Sequence, residues 1–366
     1  MTMAGRPVLM MAGGTGGHIF PALAVAERLR DLGVPLIWLG TRGGLEGTIV
    51  PKAGFDLITI AVSGFRGKAL IQQVIAPLQI VFALLQCFVL LVRRRPAAVV
   101  GMGGFTSGPG GIAAWLLRIP LIIHEQNAVA GLTNRLLSPL ATRVLESFPG
   151  TFARVRTAVH TGNPVRREVL SVSRVAHAQT ELRILILGGS QGALVLNRVV
   201  PEAVARLGSP AVRIWHQVGA SDQGATGQRY TAFGVQAKVD VFIDDVAAAY
   251  AWADIAICRA GASTLFELAA ASVPAILVPY PSAVDDHQTA NARFLADRGA
   301  AILIPQPQFN EGCLAEVLRT LGEAPERLQI MAARVHEIAA LNATARVVDL
   351  CGGGAWLKAK PRRCAG

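Results

Sequence analysis

The stretch MAGGTGGHIFPALAVAERL, Met11–Leu29, places four glycines, a threonine and a histidine between a short apolar run and an amphipathic helical pattern. A strand-to-helix turn of this kind suits a dinucleotide fingerprint, a phosphate cradle, or a place where a hydroxyl loses its proton. Its surroundings decide the fold. Short continuous apolar runs alternate with helical segments: VLMMA, PLIWLG, AAVVGMG and PLIIHE, then RILILGG, VRIWHQVG, DIAIC and PAILVPY. Such runs are parallel strands covered on both faces. A second glycine turn, GGSQG, follows the run Arg183–Leu187, and each turn opens a helix, expected over Pro21–Leu32 and Ala193–Leu207. The expected architecture is α/β, with two doubly wound Rossmann-like domains facing a cleft. Residues 1–162 form the first domain and 163–341 the second, with TGNPVRRE as the linker. Residues 342–366 return to the first domain as a helix and end in a basic tail.

Composition agrees with this outline. A chain of 366 residues, 52% hydrophobic and only 6% aromatic, has the size of two ordinary domains and the make-up of an α/β protein. The five cysteines, Cys87, Cys258, Cys313, Cys351 and Cys364, are odd in number and form no C-x-x-C pair, which predicts a reducing cytosol without disulfides. The apolar run Val8–Ala12 is too short for a signal peptide, so the chain is expected to stay inside the cell.

The net charge of +11 is uneven: residues 1–160 hold 15 Lys or Arg against 6 Asp or Glu. A basic half attracts an anionic partner. Nucleic acid is not expected, because the bases are not interleaved with stacking aromatics. Between Ala69 and Val92 there is no charge at all. A helix over Pro77–Val92 covers roughly 24 Å, short of the ~30 Å hydrocarbon core. Gln79, Gln86 and Arg93 leave a polar stripe on it, and Arg93–Arg95 close it. The reading is a core helix whose apolar edge rests on an anionic membrane surface without crossing it.

The glycine turns fail the dinucleotide pattern. From Gly14 and Gly16 the third glycine position is Ile19, and Gly188 is followed two residues on by Ser190. No acidic residue closes PLIWLGTRGG to hold an adenine ribose. What remains is backbone N–H at helix N-termini, the requirement for phosphate, repeated in GMGGFTSGPGG and CRAGASTLFE. Arg259 stands before the last turn, placed to neutralise a diphosphate. Glu267, one turn inside the helix, suits either ribose hydroxyls or the helix dipole. In HEQN, His124–Asn127, four polar residues after an apolar strand cannot all be buried cheaply, so some line a site. Asp285, Asp286, His287 and Gln288 form a hydrogen-bonding loop for sugar hydroxyls rather than a metal site, and no D-x-D motif marks a divalent ion.

These motifs, with HEQNAVAGLTNR, GNPVR, FIDD and DDHQTANA, closely resemble in order and spacing the MurG family. Its members are bacterial glycosyltransferases that carry N-acetylglucosamine from UDP-N-acetylglucosamine to the undecaprenyl-linked muramyl-pentapeptide of peptidoglycan synthesis. The resemblance runs from about Val8 to about Leu350. It implies a GT-B fold, inverting and metal-independent chemistry without a cofactor, and a peripheral place on the cytoplasmic face of the inner membrane. By the same resemblance, Thr15, Gly16 and Gly17 lie against donor sugar and diphosphate, Asn127 touches the N-acetylglucosamine, and Arg166 approaches the donor. Ser190 binds phosphate, the backbone of Ile243 reads uracil, and Ala262, Ser263, Thr264, Leu265, Phe266 and Glu267 hold diphosphate and ribose. Gln288 meets sugar hydroxyls, and His18 is the candidate base, with Glu125 as the alternative. A UDP-sugar 2-epimerase on the same fold would need no lipid acceptor, and a nucleotide-sugar-binding scaffold would turn over no donor.

Overall fold

A computed structural model describes residues 5–60, 70–173, 181–189, 192–207, 211–222 and 224–352. The chain forms two compact units, Met1–Arg166 with Asn342–Gly366, and Arg167–Leu341. In the first unit, strands β1 (Val8–Met11), β2 (Leu36–Gly40), β3 (Leu57–Thr59), β4 (Ala98–Gly101), β5 (Leu121–Glu125), β6 (Arg143–Glu146) and β7 (Ala158–His160) form one sheet in the order β3-β2-β1-β4-β5-β6-β7. In the second, β8 (Glu181–Leu187), β9 (Ala211–Gln217), β10 (Ala237–Asp240), β11 (Ile255–Cys258), β12 (Ala275–Leu277) and β13 (Ala301–Leu303) pair as β10-β9-β8-β11-β12-β13. Neighbouring strands are parallel throughout both sheets. Both units are therefore doubly wound, with the chain reversing its direction of strand addition after the third strand, as the alternating apolar runs predict.

The alternation of a strand explains why both faces must be covered. Val8 and Met10 join Trp38, Val100 and the helix residues Ile19, Val25 and Leu29 in one core. Leu9 and Met11 point the other way, to a core with Leu39, Val99, Ile123 and the helix residues Cys87 and Leu91. All nine of these strand residues are at most 2% exposed. The helix Ala343–Gly352 packs against the helix Gly16–Asp31, and Val347, Val348 and Cys351 enter the first core. The last described segment thus belongs to the first unit.

Two helices differ from expectation. The first spans Gly16–Asp31 rather than Pro21–Leu32, so Gly16, Gly17 and His18 form its opening turn instead of a loop. Pro21 sits inside it, near enough to the start that a missing N–H interrupts one bond of the ladder. The apolar helix runs from Leu70 to Arg94, so Pro77 lies within it and not in its first turn. Its buried stripe is Ala83, Cys87 and Leu91, while Leu78, Val81, Phe82, Leu85, Phe88, Val89 and Val92 are exposed. Gln79 and Gln86 are half-buried, and the outward face of this helix is the expected apolar edge. Among the described residues no helix is long and apolar enough to cross a membrane.

Val347 is fully buried at the junction of the two helices. Val347→Ala should lower the unfolding free energy by about 2 kcal/mol, from lost burial and the cavity left behind. A urea melt in which the variant unfolds at the wild-type midpoint would refute this docking.

Candidate active site

In the first unit the carboxyl ends of β1 and β4 adjoin where the strand order reverses, the place where a doubly wound sheet opens a crevice. The two following turns touch there. Gly104, at φ +81°, lies so close to the Gly13 carbonyl that a Cβ would collide with it. Beneath the first turn, the fully buried Glu46 accepts the Gly14 N–H at 3.1 Å, the Thr41 N–H at 3.0 Å and the Thr41 hydroxyl at 2.7 Å. The Trp38 indole donates to the Ala12 carbonyl at 3.0 Å, and the Ser107 hydroxyl donates to the Met11 and Gly103 carbonyls at 3.2 and 2.8 Å. All of these bonds but the one from the Thr41 hydroxyl fix backbone, so the shape of the turn is set by buried polar side chains.

His18 rises from this turn on the Gly16–Asp31 helix. Its imidazole lies against Gly103, where a Cβ would come within 2.8 Å of Nδ1 and Cε1. Its Nδ1 is 2.8 Å from Gln126 Oε1. The Gln126 amide nitrogen in turn lies 3.0 Å from His124 Nδ1 and 3.2 Å from the His124 carbonyl, and His124 Nε2 lies 3.2 Å from the Gly162 carbonyl. His124 is fully buried, and desolvation lowers its pKa to about 4 against the opposing pull of the Gly162 bond. Glu125, 1% exposed, accepts from the Asn127 N–H and side-chain amide, the Gly131 N–H and the Asn134 amide at 2.8–3.2 Å. It organises the loop that carries Asn127. Arg166 stacks its guanidinium 4.7 Å from the Phe20 ring centre, and that ring occupies the space a Cβ on Gly16 would need.

The second unit repeats the arrangement at β8 and β11. Gly189 and Gly192 have φ of +78° and +77°, and a Cβ on Gly192 would strike the Val218 carbonyl. That carbonyl accepts at 3.0 Å from the Asn197 amide, which also donates to Asp222 at 2.8 Å. Asn197 Oδ1 lies 3.1 Å from His216 Nε2, and His216 Nδ1 lies 2.9 Å from the Tyr230 hydroxyl. Burial alone would raise the Asp222 carboxyl, but hydrogen bonds from Thr226 and Asn197 and the Arg229 guanidinium hold it below its ordinary value. Burial drives His216 down to about 3 despite the Asp222 charge.

After β11, the helix Ala262–Ala270 starts at Gly261 with Ala262, Ser263 and Thr264 in its first turn. Arg259 Nη1 donates to the Val278 and Pro279 carbonyls at 3.0 and 3.2 Å, with its guanidinium 5.4 Å from the Tyr280 ring centre. Burial lowers its pKa, against the Tyr280 charge. Glu267, 5% exposed, accepts the Tyr250 hydroxyl at 3.0 Å. Gln288 Oε1 accepts the Tyr280 N–H at 2.9 Å, and His287 Nδ1 donates to the Val284 carbonyl at 2.7 Å.

Two family models cover most of the chain. The N-terminal domain of glycosyltransferase family 28 matches residues 8–146, and its C-terminal domain matches residues 183–348. A protein of Alkalilimnicola ehrlichii named UDP-N-acetylglucosamine–N-acetylmuramyl-(pentapeptide) pyrophosphoryl-undecaprenol N-acetylglucosamine transferase is 53% identical over 96% of this chain and 99% of its own length. One of the same name from Nitrosococcus oceani is 50% identical over 94% and 97%. The crystal structure of Acinetobacter baumannii MurG aligns with a TM-score of 0.80 and 42% identity, over 94% of this chain and 99% of that one. The chain belongs to glycosyltransferase family 28, in its MurG branch. It is a GT-B glycosyltransferase.

Against that membership, the residues singled out in the sequence fall in two sets. Thr15, Gly16, Gly17, His18, Asn127 and Arg166 lie in the first unit; Ile243, Arg259, Ala262–Glu267 and Gln288 lie in the second. Ser190 lies outside the described residues. Leu265 and Phe266 are 1% and 4% exposed, and Ile243 is 5% exposed, so their side chains are buried. Sequence reasoning passed over Glu46, Gly103, Asn197, His216 and Tyr250. A lone acid in TRGGLE and an asparagine in an apolar helix were the available signals. Among the described residues no group of three His, Cys, Asp or Glu could hold a metal ion.

Both buried histidines are neutral in the folded chain and protonate on unfolding below pH ~6.5. Their contribution is fully present above that pH and is lost as the pH falls toward their folded values, because the unfolded state then binds more protons. At pH 5 each should cost about 2 kcal/mol relative to pH 8. His216→Gln should flatten this acid dependence for the second unit. Parallel pH profiles of the unfolding midpoint in variant and wild type would refute it.

Proposed function

We propose that this chain transfers N-acetylglucosamine from UDP-N-acetylglucosamine to the undecaprenyl-pyrophosphoryl muramyl-pentapeptide, the transfer that the relatives' names describe for them, and that it does so at the C4 hydroxyl and with inversion. The observation that carries the reading is His18 at the switch point of the first sheet, oriented by Gln126 and Gly103. The acceptor oxygen attacks the anomeric carbon, the bond to UDP breaks, and the proton passes to His18. Glu125 is a poor base, because four donors already occupy its carboxylate. Thr15, Gly16 and Gly17 lie against the donor sugar and diphosphate, Asn127 touches the N-acetylglucosamine, and Arg166 approaches the donor.

The second unit is the donor site. The helix start at Ala262–Thr264 and Arg259 stabilise the departing diphosphate, with Ser190 as a further phosphate ligand. Glu267, oriented by Tyr250, holds the ribose, the Ile243 backbone reads uracil, and Gln288 meets sugar hydroxyls. No metal or cofactor enters the reaction.

The helix Leu70–Arg94 is the membrane face on the cytoplasmic side of the inner membrane. Leu78, Phe82 and Leu85 are 71%, 55% and 58% exposed, and Arg93, Arg94 and Arg95 at its end are exposed too. Apolar area supplies partition energy, and each arginine adds about 1 kcal/mol near an anionic surface.

His18→Gln should lower kcat by about 10²–10⁴-fold with UDP affinity and melting temperature nearly unchanged. A folded variant that keeps most of its kcat would remove His18 as the base. The triple change of Arg93, Arg94 and Arg95 to Gln should weaken cosedimentation with anionic vesicles at low salt and leave little further loss at high salt. Wild-type binding by that variant would displace the patch.

A further inference from the structure

The chain of hydrogen bonds from Gly162 to His18 has a direction. A backbone carbonyl only accepts, so His124 Nε2 must carry the proton in its contact with Gly162. His124 is neutral, because burial lowers its pKa to about 4. A neutral imidazole has one N–H, so His124 Nδ1 is an acceptor. That lone pair and the His124 carbonyl both face the same end of the Gln126 amide, at 3.0 and 3.2 Å. Two acceptors there require that end to be the NH2 group. The other end, Oε1, can then only accept, and it lies 2.8 Å from His18 Nδ1.

We infer that His124 and Gln126 act as positioning residues that set the tautomer of His18: the Gly162 carbonyl, through His124 and Gln126, places the His18 proton on Nδ1 and leaves the Nε2 lone pair as the base. The inference rests on the reading of His18 as the proton acceptor. In the reaction the acceptor O–H bond breaks and its proton goes to Nε2, while the oxygen's electron pair forms the new bond to the anomeric carbon as the bond from that carbon to UDP breaks and UDP leaves with its electron pair. The resulting imidazolium keeps its Nδ1–H bond to Gln126 Oε1. A serine-hydrolase triad fixes its histidine with a carboxylate, and there a wrong tautomer is costly. Here a neutral amide does the orienting, and its own orientation comes from a buried histidine and a backbone carbonyl. Gly103 completes the arrangement, because any side chain at its position would push the ring away from Gln126.

The test uses the full chain with ¹⁵N-labelled histidine, and the His18 signals are assigned by their loss in His18→Gln. Long-range proton–nitrogen spectra of the wild type should show His18 Nδ1 protonated and Nε2 pyridine-like. Gln126→Leu should shift His18 toward a mixture of tautomers and lower kcat about tenfold or more, within the range a general base contributes. The KM for UDP-N-acetylglucosamine should hold. Gln126→Glu keeps an acceptor for Nδ1–H and should recover the tautomer and much of kcat. A wild-type spectrum with the proton on Nε2 overturns the inference, whether or not either variant folds. So does a folded Gln126→Leu chain with wild-type kcat while His18→Gln is slow. If His18→Gln itself keeps its rate, the base assignment fails, and the spectrum still decides the tautomer separately.

Discussion

The first site depends on one carboxylate. Glu46 has no exposed surface and is surrounded by the glycine turn it serves, with added Cβ atoms at Gly13, Gly40 or Gly44 all running into its side chain. A buried acceptor of this kind must be given donors, and the donors here are the Gly14 N–H and both polar groups of Thr41. The need to satisfy one buried group therefore ties the end of β1 to the end of β2. The turn is held open in a shape that brings the helix Gly16–Asp31, and His18 with it, to the sheet's switch point. Remove the carboxylate and the backbone N–H of Gly14 loses its partner, while His18 loses the ground it stands on.

The second unit solves the same problem with different chemistry. Its glycine turn abuts the Val218 carbonyl, and the holding group is Asn197, backed by Asp222, His216 and Tyr230. The network links the helix after β8 to the strand end of β9 much as Glu46 links β1 to β2. Two sheets that share the order of their first six strands thus each have buried polar groups bracing the end of the first strand against the neighbouring strand region. What differs is the side chain each turn delivers. The first presents an imidazole; in the second unit Arg259 and Glu267 follow on the adjoining strand end and helix.

Central strands were legible because they are covered on both faces and read as unbroken apolar runs, as in VLMMA and RILILGG. The strands passed over are β3, β6, β7, β10 and β13, of three or four residues each and at or next to a sheet edge. Segments such as LIT and AKVD are too short and too polar to stand out. The start of the first helix was misplaced because Gly16 and Gly17 are poor helix formers and Pro21 resembles a first-turn residue. Packing overrides that propensity, since Ile19 belongs to the core. Residue types at the site were visible in HEQN and CRAGASTLFE, but their partners were not. Which oxygen faces which nitrogen is a property of three dimensions, and Gln126 between two histidines could not be read from spacing.

The outward face of the helix Leu70–Arg94 has a practical consequence for the protein in water. Eight large apolar side chains from Leu78 to Val92 lie exposed on one element, with Trp115 and Leu116 exposed on the helix packed beside it. An uncovered surface of this size attracts any other apolar surface that diffuses to it, including its own copy. In water this patch favours self-association against the repulsion of the net charge of +11. Detergent or added surfactant acts as a cover for it, and the protein's solubility becomes a property of its surroundings as much as of its fold.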